Sequence, residues 1–92
     1  MSSSRYLLIK FIGAKAPKTS EDAKRHFYDN LREKIGSFGL SYAGCHFLTE
    51  SYDPKEATGI IKANLRGLKL LRGAILTMGD GETCGINLVR VS

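Results

Sequence analysis

Cysteine is scarce in this 92-residue chain. The two present, Cys45 and Cys84, have no CxxC spacing, so neither a disulfide framework nor a zinc-ribbon arrangement is written in the sequence. The opening "MSSSRYLLIK" lacks the basic-then-apolar order and small-residue cleavage site of a secretory signal. The longest apolar runs fall far short of the roughly 20 residues that span a bilayer. Free thiols in a reducing intracellular compartment, away from any membrane, are therefore expected. There is no GxGxxG, no Walker sequence, no internal repeat and no low-complexity tract beyond "MSSS". Acidic residues are in deficit, with 9 Asp+Glu against 14 Lys+Arg and a formal net charge of +5. That excess suits an anionic partner such as nucleic acid, although many small basic domains bind none.

What is present is enough for one domain over residues 1–92. The hydrophobic fraction is 42%, ordinary for a globular chain. A chain of this size buries about 60–65% of its surface on folding, which makes a thin core. "RYLLIKFIG" reads as a first strand, Leu7, Ile9 and Phe11 alternating with Tyr6, Leu8 and Lys10. "AKAPKTS" follows as a loop broken by Pro17. A helix is expected from Thr19 or Ser20, with Glu21 and Asp22 in its first turn. Its buried face is Ala23, Phe27, Leu31, Ile35 and Phe38, and Gly39 is its stop signal, leaving "LSYAG" as a connector. Strands are expected at Gly44–Tyr52 and Gly59–Asn64, joined as a hairpin by a turn that Asp53-Pro54 initiates. "NLRGLKLLRGAIL" reads as a second helix capped by Asn64 and ended by the "GDG" of 79–81. A last strand spans Cys84–Val91. The order strand, helix, strand, strand, helix, strand predicts an α+β, ferredoxin-like (RRM-like) βαββαβ sandwich. Its four-stranded antiparallel sheet carries two helices on one face.

The second helix carries the sharpest charge pattern. Leu68, Leu71, Ile75 and Met78 cluster on one side at helical spacing, and Arg66, Lys69 and Arg72 on the adjoining side. Gly73 falls among those cations, where a glycine costs about 1 kcal/mol relative to alanine but lets another backbone approach. Either the stripe is a solvated face or it meets phosphates. Arg66, read in a first helical turn, opposes the helix dipole, which favours an external role or a local ion pair. The sheet face away from the helices offers Tyr6, Leu8 and Lys10 from the first strand and Ile60, Lys62 and Asn64 from the third. Lys62 and Asn64 stand where a base-stacking RNA recognition motif places an aromatic, so a base-stacking motif of that kind is not expected. Leu8, Leu48, Ile60 and Val89 on that face read as an apolar protein contact.

Catalytic patterns fail on geometry. Cys45 and His46 are adjacent strand residues pointing to opposite faces, so they do not converge on a metal or form a nucleophile pair, with or without Cys84. Glu50, Asp53 and Glu56 flank a turn and read as solvated. An acylphosphatase-like enzyme needs a glycine-rich anion loop ending in arginine after the first strand, and "GAKAPKTSED" does not match it.

With the element order in place, the chain resembles the small protein subunit of archaeal and eukaryotic ribonuclease P, the Pop-five/Rpp-fourteen type. The residues that carry this are Arg5-Tyr6 opening the first strand; Phe38-Gly39-Leu40-Ser41 with Ala43; Tyr52-Asp53; Gly59-Ile60-Ile61-Lys62; and Arg72-Gly73-Ala74-Ile75. Two departures stand out: the "SGT" segment that usually follows the family's last strand is either absent or cut away, the sequence stopping at Val91-Ser92, and Gly73 stands where the family often has alanine. The resemblance implies a non-catalytic, RNA-binding subunit of the ribonucleoprotein that removes the 5′ leader from precursor tRNA. It implies ribonuclease P RNA as partner, precursor tRNA indirectly, and a TIM-barrel-like protein subunit. It also implies a homodimer within a heterotetramer, and a cytoplasmic location, nuclear in a eukaryote. Mg²⁺ serves the RNA-based chemistry and the protein itself binds no cofactor. Arg5, Lys62 and Arg72 carry over as RNA contacts; Lys10, Arg66 and Lys69 join them on geometry, and Leu8, Leu48 and Ile60 stand as the protein interface. The competing reading is a ferredoxin-like protein-interaction or dimerisation module with incidental charge.

Overall fold

In the computed structural model, residues 4–13, 15–78 and 85–91 are described, without the side chains of residues 38, 40, 41 and 43. Strand β1 (Ser4–Ile12) follows from its alternation: Leu7, Ile9 and Phe11 point into the core and are almost wholly buried. Helix α1 (Ser20–Ala43) opens on Thr19, whose Oγ1 accepts from the Asp22 N–H at 3.2 Å. Glu21 and Asp22 complement the positive end of the helix dipole. Ala23, Phe27 and Leu31 are fully buried and Ile35 packs at the core's margin, as the spacing predicts. The side chain of Phe38, placed on the same face from sequence, lies outside the described residues.

The expected stop at Gly39 is wrong. The helix breaks at Gly36, whose φ of 73° and ψ of 174° are close to glycine-only territory. It then resumes through the supposed connector "LSYAG" as far as Ala43. The true terminator is Gly44, in the left-handed conformation at φ 54°. Strand β2 (His46–Asp53) accordingly starts two residues later than expected. Tyr28 fastens it to α1: its hydroxyl accepts from the Phe47 N–H at 2.9 Å and donates to the Cys45 carbonyl at 3.4 Å. The Asp53 carboxylate then accepts from Lys55 N–H at 3.0 Å and Glu56 N–H at 3.4 Å, nucleating the turn from its first residue.

Strand β3 (Thr58–Asn64) returns antiparallel to β2, and a turn at 65–67 leads to helix α2 (Leu68–Leu76). Asn64 is the last strand residue, not the helix cap. Its side-chain oxygen accepts from the Gly67 N–H at 2.8 Å and so shapes the turn. The helix begins after Gly67 and is closed at Thr77, whose hydroxyl donates to the Ala74 carbonyl at 2.7 Å. The "GDG" of 79–81 expected to end it, and Cys84, lie outside the described residues. Strand β4 (Gly85–Val91) completes a sheet ordered β2-β3-β1-β4.

All pairings are antiparallel, β1 and β3 are central neighbours, and one face carries the core. That core joins Leu7, Ile9, Phe11, Phe47, Ile61 and Ile86 from the strands to Phe27, Leu31, Leu71 and Ile75 from the helices. Phe47 lies 6.0 Å from Phe27 and 6.4 Å from Phe11 between ring centroids, so three elements interlock through aromatic contacts. This is the ferredoxin-like α+β fold expected from the order of elements, with the second sheet face left open.

Candidate functional site

The open face is organised in rows across the strands. His46, Lys62 and Tyr6 stand opposite one another on β2, β3 and β1. Leu48, Ile60, Leu8 and Arg90 form the next row, through all four strands. Thr58, Lys10 and Asn87 form a third. The first two rows contain no carboxylate, whereas Asp53, paired with Thr58, extends the third. His46, Lys62, Lys10, Arg90 and Asn87 are exposed, whereas Leu8, Leu48 and Ile60 are half-buried. The three apolar residues placed together from sequence are therefore neighbours. Tyr6 keeps 42% of its surface and, with Leu8, Ile60 and Arg90, lines a small pocket of about 100 Å³.

Arg90 reaches this face through an irregularity that alternation does not reveal. Counting by twos from buried Ile86 puts Leu88 and Arg90 on the core side. Instead the β1–β4 register jumps from Ile9↔Leu88 to Leu8↔Arg90, leaving Val89 as an extra residue. Val91 then returns to the core side opposite Leu7. Arg90 was thus missed in the sequence-based set; its charge was visible, but its side of the sheet was not.

A second cationic surface lies on α2. Leu65, Leu68, Lys69, Arg72, Gly73 and Leu76 line a shallow groove of about 440 Å³. Gly73 is exposed, and a Cβ added there would meet nothing within 4 Å, so no contact within the chain calls for glycine. Arg66 is not in a first helical turn, because it belongs to the preceding turn at 65–67. The dipole argument attached to it falls away. Leu65 and Leu76 are 51% and 73% exposed, so the groove is apolar as well as basic.

The six RNA candidates therefore divide. Lys10 and Lys62 share the open sheet face; Lys69 and Arg72 share the α2 groove, with Arg66 just before it. Arg5 pairs with Ala63 and shares the parity of Leu7 and Ile9, which puts it on the helix side of the sheet, near the turn at 65–67. It is not grouped with Lys62.

A third depression, of about 520 Å³, lies between the loop and the start of α1, with Lys15, Lys18 and Arg25 beside Asp22 and Asp29. His26 borders it, 5.7 Å from the Phe11 ring, and its carbonyl accepts from Asn30 Nδ2 at 2.8 Å.

Cys45 is buried while His46 is exposed, the divergence expected of adjacent residues. Burial pushes the Cys45 thiol up to about 11, which leaves it protonated and unreactive at neutral pH. Among the described residues no group of three or more His, Cys, Asp and Glu is placed to hold a metal ion. Glu50, Asp53 and Glu56 are exposed, and Asp53 is engaged in its turn. No described helix is long and apolar enough to cross a membrane.

Comparison with curated proteins gives no significant match. The model of the Rpp14/Pop5 family, by contrast, matches residues 5–92, nearly the whole chain, from the start of β1 through β4. A fold of the expected topology, cationic surfaces on two faces and a match of that extent agree: this chain belongs to the Rpp14/Pop5 family of ribonuclease P subunits and has its place in tRNA processing.

Proposed function

We propose that the chain is a non-catalytic, RNA-binding subunit that supports RNA-catalysed removal of the 5′ leader from precursor tRNA. The observation that carries this reading is the grouping of exposed cations on two surfaces of a family member. Lys62 and Arg90 stand in cross-strand rows without a carboxylate, Lys10 stands in the next row, and Lys69 and Arg72 rim a groove at Gly73. Such cations neutralise phosphates and release counterions, which lets folded RNA pack at lower Mg²⁺. The Mg²⁺ belongs to the RNA. The protein supplies positive charge and shape, and Arg5 extends the basic surface at the rim of the sheet.

A protein contact accompanies the RNA contact. Leu8, Leu48 and Ile60 were the sequence-based seat for it, but their own neighbours half cover them. Leu65 in the turn before α2 and Leu76 at the end of α2 offer more uncovered apolar surface. We place the TIM-barrel-like subunit of the enzyme there, against the apolar side of the groove, with Lys69 and Arg72 at its border with RNA.

The test is precursor-tRNA cleavage at modest Mg²⁺ by ribonuclease P RNA with the TIM-barrel-like subunit, with and without this chain. The wild type should stimulate cleavage. Replacing Arg66, Lys69 and Arg72 by alanine, and separately Lys10 and Lys62, should each reduce the stimulation. Loss in one set alone assigns RNA to that face. No stimulation by the wild type would overturn the reading in favour of a dimerising adaptor, which would self-associate without regard to RNA in sedimentation.

A further inference from the structure

We propose that the open sheet face holds one unpaired nucleotide of single-stranded RNA, its base seated between Tyr6 and Arg90 over Leu8 and Ile60. The proposal deepens the RNA-binding reading and rests on it. Three observations support it. First, the β4 bulge at Val89 brings a planar guanidinium directly opposite Leu8, on the same face as the phenol ring of Tyr6 two residues earlier in β1. Both groups stack on nucleobases, so an arginine here serves as the second planar partner where Lys62 occupies the third-strand position of the usual aromatic. Second, the four residues enclose about 100 Å³, with half-buried Leu8 and Ile60 as an apolar floor. That is room for one flat group, not for a base pair held in a duplex. Third, the two rows that frame the pocket, His46–Lys62–Tyr6 and Leu48–Ile60–Leu8–Arg90, carry cations and no carboxylate. Lys62 stands opposite Tyr6, and Lys10 lies in the next row beyond Leu8, with Asp53 two strands away in that row, opposite Thr58. A base in the pocket brings its flanking phosphates to these groups, whereas an apolar protein side chain has no use for them. This charge complementarity favours RNA over a protein occupant.

The occupant is a single-stranded segment, since only an unstacked base has both faces free. The experiment measures binding of a short labelled single-stranded RNA, and of the same sequence annealed into a duplex, to the full chain at one fixed salt concentration. Tyr6→Ala should weaken single-strand binding about five- to 150-fold, the range of one lost base stack. Tyr6→Phe, which keeps the ring, should bind as the wild type does. Arg90→Lys, which keeps the charge and loses the plane, should also weaken it. Duplex affinity should not change with any of the three. Backbone amide spectra establish that each variant is folded, which the exposure of both side chains favours.

Single-strand binding unchanged in Tyr6→Ala and Arg90→Lys would overturn the pocket while leaving the RNA-binding reading intact. Equal losses on duplex and single strand would overturn it as well, since no base would then be read. Loss of self-association in Tyr6→Ala, with RNA affinity unaltered, would make this face a contact between copies. Absence of any RNA binding by the wild type would remove both the pocket and the reading beneath it.

Discussion

Replacing Gly44 by alanine tests how the end of α1 is tied to the start of α2. Gly44 sits in the left-handed region at φ 54° and ψ 43°, and a Cβ there would run into the side-chain amide of Asn64. Asn64 is not free to turn aside, because its Oδ1 holds the Gly67 N–H at 2.8 Å and so shapes the turn before α2. Two costs follow. Left-handed backbone costs a residue with a Cβ about 1–2 kcal/mol. Displacing Asn64 forfeits a hydrogen bond with a net contribution of about 0.5–1.5 kcal/mol. The sum, about 1.5–3.5 kcal/mol, is a large part of the roughly 5–15 kcal/mol that holds a small domain folded. The assay is urea denaturation followed by circular dichroism, comparing midpoints at constant slope. The two costs separate in an Asn64→Ala background, where no amide stands in the way. There Gly44→Ala should cost only the backbone term, about 1 kcal/mol less than in the wild type. Gly36→Ala is the companion variant. Its Cβ would meet nothing within 4 Å, so its cost is strain alone, about 1–3 kcal/mol. The reasoning is refuted if Gly44→Ala lies within about 0.5 kcal/mol of the wild type, the range of an ordinary surface change. It is equally refuted if its cost is the same in both backgrounds.

Other consequences are as direct. Tyr28→Phe removes the acceptor of the Phe47 N–H and should destabilise the chain by about 1–3 kcal/mol in the same denaturation assay, with little change in the helical signal. Burial raises the Cys45 thiol from 9.0 to about 11 and raises the Tyr28 hydroxyl too. The unfolded chain therefore loses these protons first. The associated stability is complete below pH 9 and declines as pH rises toward 11, so urea midpoints should fall across that window. Cys45→Ala should flatten part of the decline, and Cys45 in the folded protein should resist alkylation at neutral pH until denaturant is added. Replacing Arg66, Lys69 and Arg72 together by alanine should reduce the slope of log K for RNA against log salt by about 0.7–0.9 for each that meets a phosphate. An unchanged slope would make the α2 stripe a solvated face.

Much of the fold was legible because local pattern and global topology agree. The alternation of Leu7, Ile9 and Phe11, the spacing of Ala23, Phe27 and Leu31, and Asp53 at a turn each pointed to the observed element. The side taken by Arg5 was legible too, since it shares the parity of Leu7 and Ile9, though its residue type drew attention first. The end of α1 was not. Gly36, Gly39 and Gly44 all qualify as stop signals, and the choice among them depends on how the last turns and β2 fit the sheet, which composition does not encode. Arg66 was drawn into α2 because Asn64 is a good helix cap in isolation. Its role as the last residue of β3, bonded to Gly67, comes from pairing with Ser4 on β1.

The sequence by itself determined the order of elements, the buried faces of β1 and of the first half of α1, and the excess of positive charge, all of which depend on residue type and short-range spacing. Only the tertiary structure decided which cations share a surface. Lys10, Lys62 and Arg90 meet because three strands stand in one register and one residue bulges out of β4, while Lys69 and Arg72 face away on α2. A bulge is a mismatch between two strands, set by the partner as much as by the strand itself. That is why the side on which Arg90 lies was settled by the fold and not by its neighbours in sequence.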